Sequence, residues 1–404
     1  MKNTNKLDAR NQNKLRENET IEKIEKSEIK QLSSVLNKHH QPQLSIVIPV
    51  YNQIRFLDFT LQSLIKQQNT SDWEVIIVDD GSTEWLTKQL LYQVFQEYSQ
   101  LIDLTILFEV NGGLSWARNQ AIKVANGKWI LPLDSDDTLA PDFLTKSFNV
   151  LNTLDSNNKH TVVISDLQGF VENEEEAGGV ERLMSWSIPD WDRESLKFKN
   201  LLHCSALFRK DLWETVGGFD NNLWFGWEDW DFWLRLDRKL PDGLDIKVIR
   251  EELFNYRMKP GMHSFCKDNF QLCFSMFQTL HPEEYSLSDI IHAHRRIGAE
   301  GAKILLPLKR RIKQFPNSYI LHMWLGLVHE YHKPKDVVTA RREYELSMTL
   351  GHEKNDWQPI ILRILVDRGT DMFDESKRDL PHIFGKYDSN LKNELINVYG
   401  DIFK

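Results

Sequence analysis

The chain reads as an α/β protein, a mostly parallel central sheet followed by an α-helical domain, and three observations predict it. Short apolar runs, LSIVIPV, WEVIIVDD and KWILPLDSDD, stop abruptly at turn or acidic residues, as strands buried on both faces do. Amphipathic stretches with helical spacing separate these runs, and such alternation makes the strands parallel neighbours in one sheet. After about residue 270 strand signals vanish and helical periodicity takes over. The 404 residues, 41% hydrophobic, leave room for two to three domains with sizeable cores.

Residues 1–42 are rich in Asn, Lys, Glu and Gln and almost free of aromatics. They bury too little apolar surface to order themselves and read as a disordered or weakly helical charged tail. Leu44 starts the first strand, which Tyr51-Asn52 end ahead of a helix through Leu57, Leu61, Leu64 and Ile65. The second strand ends in Asp79-Asp80-Gly81-Ser82, a helix follows to about Ser99, and a third strand spans Leu104 to Phe108. Gly112-Gly113 open a helix through Trp116, Ala117, Arg118 and Asn119, with Asn126-Gly127 as its expected C-cap. That helix feeds the fourth strand, which delivers Asp134, Asp136 and Asp137 to its end. Pro49 to Asn52, Asp79-Asp80, the start of the Gly112 helix and Asp134 to Asp137 thus converge on one sheet edge. Ligands of open α/β sheets bind at that edge.

Three carboxylates within four positions repel one another unless a cation or hydrogen-bond donors compensate. Their hard oxygens suit Mg²⁺ or Mn²⁺, which keep coordination sites open for phosphate oxygens; an ordinary polar turn is the alternative for this stretch alone. No GxGxxG or GxxxxGK[ST] follows any strand, so dinucleotide redox chemistry and P-loop hydrolysis lack their usual phosphate grip. A second acidic cluster, Trp227-Glu228-Asp229-Trp230, sits between indoles at the start of a helical run. A carboxylate there suits general-base work on a hydroxyl, or simply favours a helix N-terminus.

Fifty basic and fifty-nine acidic residues give a net charge of −9, which argues against general nucleic-acid binding. Cys204, Cys266 and Cys273 show neither CxxC nor His-linked spacing, so no zinc or disulfide framework is expected and a reducing, cytoplasmic setting fits. No secretion signal and no run of eighteen apolar residues is evident.

The segments SIVIPVYN, VIIVDDGS, NGGLSWARNQAI with NGKWILPLDSDD, GGFDNNLWFGWEDWDFWLRL and YRMKPGMHSF resemble, in order and spacing, the family-2 glycosyltransferases, nucleotide-sugar enzymes of the GT-A fold. The resemblance covers roughly residues 43–265 and implies a transferase domain over 43–268. Carried over position by position, it implies that Pro49, Tyr51 and Asp79 hold the nucleotide base and ribose, and that Arg118 lies near the sugar or diphosphate. Asp134 and Asp136 match the family's DxD signature. Asp136 would contact Mn²⁺ or Mg²⁺, with Asp134 and Asp137 assisting through ribose or sugar hydroxyls and His263 supplying a late metal or diphosphate contact. Asp229 resembles the catalytic base, and Glu228 would contact acceptor hydroxyls. The implied reaction is a single inverting displacement from a nucleotide-diphosphate sugar to a hydroxyl of a glycan, glycolipid or protein acceptor.

Trp186, Trp191, His203, Trp213, Trp224, Trp227 and Trp230 suggest a carbohydrate groove, and Val171 to Val180, rich in Glu, an acidic lid. In the helical domain, 269–404, Trp324, Leu327, Tyr331, Ala340 and Tyr344 match one tetratricopeptide helix pair with its turn at Lys333-Pro334-Lys335. Arg295, Arg296, Lys303, Lys309, Arg310, Arg311 and Lys313, interleaved with Ile304, Leu305, Leu306 and Leu308, are a candidate for peripheral contact with an anionic inner membrane face, or a solvated helix face. Three other readings compete. A nucleotidyltransferase needs a Gly-rich basic loop where Val50-Tyr51-Asn52-Gln53 stands. A glycosidase needs paired carboxylates but no nucleotide. A degenerate glycan-binding scaffold, recruiting protein partners through its helical domain, needs none of Asp134, Asp136 and Asp229.

Overall fold

The computed structural model describes residues 19–20, 22–23, 30–34, 41–68, 72–154, 159–172, 180–259, 265–331, 335–354, 356–368, 370, 372–379 and 389–400. The chain forms two compact units, the first Met1–Leu223 with Trp227–Met262, the second Trp224–Gly226 with His263–Lys404.

The first unit is built on a ten-stranded sheet: β1 (Gln31–Ser33), β2 (Leu44–Val50), β3 (Trp73–Asp79), β4 (Leu104–Phe108), β5 (Trp129–Pro132), β6 (Thr138–Leu139), β7 (Thr161–Glu172), β8 (Val180–Trp186), β9 (Leu207–Arg209) and β10 (Asp245–Arg257). The spatial order is β1-β4-β3-β2-β5-β9-β7-β10-β6, with β8 paired to β7. β2 to β5 are mutually parallel, as are β7 and β10, while β9 runs antiparallel between β5 and β7. Helices α1 (Leu57–Ile65), α2 (Trp85–Tyr98), α3 (Leu114–Val124), α4 (Phe143–Leu151), α5 (Lys210–Val216) and α6 (Glu228–Lys239) complete the unit. Leu44, Ile46, Ile48 and Val50 of β2 pack with Leu57, Leu61 and Leu64 of α1 and Phe143 and Leu144 of α4 in one core. Val47 is equally buried. Burial on both faces is why the strand reads as an unbroken apolar run. The prolines of these central strands fall where no donor is needed: Leu133 N closes the β2–β5 ladder on Val47 O at 3.0 Å, and β9 pairs β5 only through Trp129 and Ile130.

Two expectations are corrected here. The stretch read as a tail contributes β1, antiparallel to β4 in the register Leu32↔Ile106, with Leu32 packed on the core; an edge strand's unpaired amides and carbonyls recruit it. Asn126-Gly127 is not a left-handed C-cap, since α3 ends at Ala125 with φ −59° and ψ 133°. Instead the buried Glu74 carboxylate accepts Ser45 Oγ and Asn126 N, each at 2.6 Å, and Gly127 N donates to Ser45 Oγ at 2.8 Å. A Cβ on Gly127 would lie 2.5 Å from Ser45 N.

The second unit is helical: α7 (Phe265–Asp268), α8 (Phe270–Leu280), α9 (Leu287–Ala299), α10 (Leu305–Gln314), α11 (Tyr319–Tyr331), α12 (Val337–Leu350), α13 (Gln358–Asp367), α14 (Phe373–Ser376) and α15 (Ser389–Tyr399). Ser286 and Asp289 form a capping box on α9. Trp324 donates to Thr279 Oγ1 at 2.9 Å, and Gly326 admits the Tyr344 ring so closely that a Cβ would sit 2.4 Å from it. Lys333 and Pro334 of the expected turn lie outside the described residues. The basic cluster does not interleave with a surface-facing apolar stripe. Ile304 and Leu308 are buried, Arg311 is buried against the Phe315 ring at 4.3 Å, and Leu306 alone of the four apolar residues is exposed. Among the described residues no helix is long and apolar enough to cross a membrane.

The Gly127 contact meets backbone, which cannot swing aside. Gly127→Ala is expected to destabilise the protein by roughly 1–3 kcal/mol through overpacking, read as a lower urea midpoint at unchanged slope.

Candidate active site

The site grows from the end of β5. The parallel ladder stops at Pro132, Leu133 is still buried, and the chain turns so that Asp137 N bonds Asp134 O at 3.1 Å. Thr60 Oγ1 on α1 holds the turn by donating to Asp137 O at 2.8 Å, with Ser135 O at 3.0 Å.

Each carboxylate of this turn is compensated differently. Asp134 Oδ1 accepts Arg118 Nη2 at 2.7 Å. Asp136 Oδ2 pairs with Lys259 Nζ at 2.6 Å, and Lys259 also reaches Gln53 Oε1 at 2.7 Å. Asp137 is 1% exposed, its Oδ1 accepts Arg257 N at 2.8 Å, and its buried Oδ2 has no hydrogen-bond partner. Burial, reinforced by the charges of Asp134 and Asp136, holds the Asp137 carboxyl well above the ordinary carboxylate range.

Arg118, on α3, is 1% exposed. Its Nη1 donates to Glu228 Oε1 at 2.5 Å, so one guanidinium joins the end of β5 to the start of α6. Trp227, the N-cap of α6, has φ +66°. A bulky residue in that region is strained, and strain of this kind is held in place by its surroundings at functional positions. Asp229 follows in the first turn, where Asn200 Nδ2 donates to its Oδ2 at 3.0 Å and Trp230 N to its Oδ1 at 2.8 Å. Burial, then the neighbouring Glu228 charge, raises the Asp229 pKa to about 7.

At the ends of the other strands, Asp79 is buried, its Oδ1 accepts Ser82 N at 3.1 Å, and its Oδ2 has no hydrogen-bond partner. Burial raises its pKa. Pro49 lies in β2 opposite Val78, and Tyr51 is 45% exposed. Asn52, at φ +50°, takes the left-handed backbone that Asn tolerates and bonds Thr83 N at 2.9 Å. Asp80 accepts Gly112 N and Gly113 N, both at 2.8 Å, which fixes the start of α3. Asn200 at Asp229, Cys204 with its Sγ 3.9 Å from Asp134 Oδ2, and Lys259 at Asp136 are contacts that the sequence reading passed over, because their partners lie 29 to 123 positions away in the chain.

His263 lies outside the described residues, as does 173–179, the bulk of the expected lid. The aromatic cluster divides. Trp230 is buried and donates to Leu196 O at 2.5 Å, Trp213 donates to Asn119 Oδ1 at 2.9 Å, and His203 stacks on Phe254 at 4.6 Å. These three build the structure, whereas Trp186, Trp191 and Trp227 remain partly exposed. The donor set at the turn is carboxylate oxygen, which fits Mg²⁺ or Mn²⁺. Among the described residues no three His, Cys, Asp or Glu side chains are grouped to hold a metal by themselves. A cation held by one or two carboxylates plus diphosphate oxygens needs no such group, and here it would meet the Lys259 ammonium at Asp136.

A family model described as Glycosyl transferase family 2 matches residues 45–217. The uncharacterized glycosyltransferase YwdF of Bacillus subtilis (strain 168) is 30% identical over 193 residues, 48% of this chain and 67% of that protein. Chondroitin synthase of Escherichia coli is 30% identical over 253 residues, 54% of this chain and 35% of that protein. The S. aureus TarS 1-349 structure in complex with UDP-GlcNAc is 18% identical with a TM-score of 0.44, over 85% of this chain and 93% of that one. The chain spans 23–67% of the length of the curated relatives it matches.

Removing the guanidinium strands two carboxylates. Arg118→Met is expected to destabilise the first unit by roughly 3–5 kcal/mol, and Arg118→Met with Glu228→Gln to recover part of that loss. Paired thermal melts of the two variants check both.

Proposed function

The chain belongs to the family 2 glycosyltransferases, and from that premise we propose that it moves a sugar from a nucleotide-diphosphate donor to a hydroxyl of a growing polysaccharide, with inversion. The observation that carries this reading is Asp229. It is a carboxyl with a pKa of about 7 at the strained start of α6, joined through Glu228 and Arg118 to the acidic end of β5.

The donor belongs at the carboxyl edge of β2 to β5. Asp79, with a buried oxygen lacking a hydrogen-bond partner, would accept an N–H of the base, and Pro49 and exposed Tyr51 would flank base and ribose. Asp136, with Asp134, would hold Mn²⁺ or Mg²⁺, which when bound neutralises diphosphate charge. Asp134 and Asp137 would face ribose or sugar hydroxyls. Arg118 acts as a positioning residue, since both arms of its guanidinium are committed to Asp134 and Glu228. Asp229 takes the acceptor proton, the acceptor oxygen bonds to the anomeric carbon, and the bond to the diphosphate oxygen breaks on the opposite face. The nucleoside diphosphate departs with that electron pair. The indole of Trp227, partly exposed beside Asp229, gives an acceptor sugar a face to stack on. In the second unit we read α11 and α12 as one tetratricopeptide-like pair that serves a protein partner.

Two experiments test this reading. Nucleoside diphosphates screened with and without Mn²⁺ or Mg²⁺ are expected to give one that raises the melting temperature, by the equivalent of about 2.7 kcal/mol at a hundred times its dissociation constant. Asp136→Ala should lose the effect. Asp229→Asn should keep nucleotide binding and lower transfer about 10²–10⁴-fold. Because the base works only when ionised, wild-type kcat/KM should climb with pH through about 7 and level off above it; unimpaired transfer by the Asn variant would sink the assignment.

A further inference from the structure

Beside the DSDD turn, α1, β6, β7, β8 and β10 enclose a cleft of about 290 Å³, near the lower end of ligand-sized pockets. Its lining carries three cations, Lys66, Arg182 and Arg257, and no carboxylate. In a chain of net charge −9 such a concentration of one sign is unexpected. Lys66 and Arg182 are exposed, stand on different elements, and have no ion-pair partner among the described residues. Arg257 is held differently. It is 3% exposed, its Nη1 pairs with Glu172 Oε1 at 3.3 Å, its guanidinium lies 4.4 Å from the Phe56 ring and 4.6 Å from Phe170, and its Nε donates to Asp136 O at 2.7 Å. Glu172 thus answers Arg257, while Lys66 and Arg182 are left to a ligand, since like charges without counter-charge are unfavourable. Phe59, 42% exposed, adds an apolar face.

We propose that this cleft binds an oxyanion carried on a sugar polymer, with Lys66 and Arg182 gripping the phosphate or carboxylate and Phe59 stacking on the adjoining sugar. Separated cations with an aromatic face suit a repeating charge on a chain better than a compact free ion, which needs convergent donors. Arg257 ties the cleft to the backbone of Asp136, so a chain bound there lies next to the turn assigned to the donor. This identifies the acceptor as an anionic glycan and rests on the transferase reading for its purpose.

The test uses the full chain and three end-labelled oligomers of equal length: a phosphodiester-linked polyol, a uronate oligosaccharide and an uncharged glucan. Binding is followed by fluorescence anisotropy at low and high salt. At least one charged oligomer is expected to bind at least tenfold more tightly than the glucan, with affinity falling as salt rises; which one identifies the oxyanion. Lys66→Ala with Arg182→Ala, both surface changes, should weaken that binding at least tenfold and leave nucleotide stabilisation untouched. Equal binding of the glucan, no binding of either charged oligomer, or full binding by the double variant overturns the proposal. The nucleotide arm separates the two claims. Loss of oligomer binding with nucleotide stabilisation intact removes the cleft alone. Oligomer binding without nucleotide stabilisation keeps the glycan site and removes the transferase mechanism.

Discussion

Everything at the site hangs on one buried guanidinium. Arg118 is almost fully enclosed, and an isolated charge in that position would be prohibitive. It is tolerated because Asp134 and Glu228 approach it from two directions. Three segments far apart in the chain, α3, the end of β5 and the start of α6, are therefore held in one mutual geometry. A hydrophobic clamp of the same volume would join these elements equally well, but only the planar fork of a guanidinium also fixes the direction from which each carboxylate approaches.

The remaining carboxylates follow from that arrangement. Asp136 is answered by Lys259, and Asp137 by a backbone amide and by keeping its proton more readily than an ordinary aspartate. Neutralising each acid by a separate device lets three of them crowd one turn. It also leaves the turn adaptable. The Lys259 ammonium, 25% exposed, is a flexible point charge, more easily displaced than a planar, multiply bonded arginine.

Legibility in the sequence tracks the range of the physics. β2, β3, β4 and β5 are visible in the chain because a strand buried on both faces writes an apolar run with sharp ends. DSDD and WEDW are visible because charge beside such runs is conspicuous. The meanings of Gly127 and Arg118 were hidden. Gly127 is small to admit the backbone at Ser45, and Arg118 finds its second partner 110 positions later. β9 is only three residues long, too short for periodicity to register, yet it links β5 to β7 by running antiparallel to both. β1 escaped because its composition is that of a tail and only the exposed edge of β4 makes it a strand.

The same logic explains why Asp229, and not its neighbour, suits proton transfer. Both residues occupy the first turn of α6. Burial opposes ionisation of Asp229. Arg118 distinguishes the two by bonding Glu228 directly. The Glu228 charge then acts on Asp229 at close range in a poorly solvated place, adding to burial and outweighing the bonds from Asn200 and Trp230 N and the more distant pull of Arg118. A basicity near neutrality thus comes first from the burial of Asp229 and then from the Glu228 charge beside it.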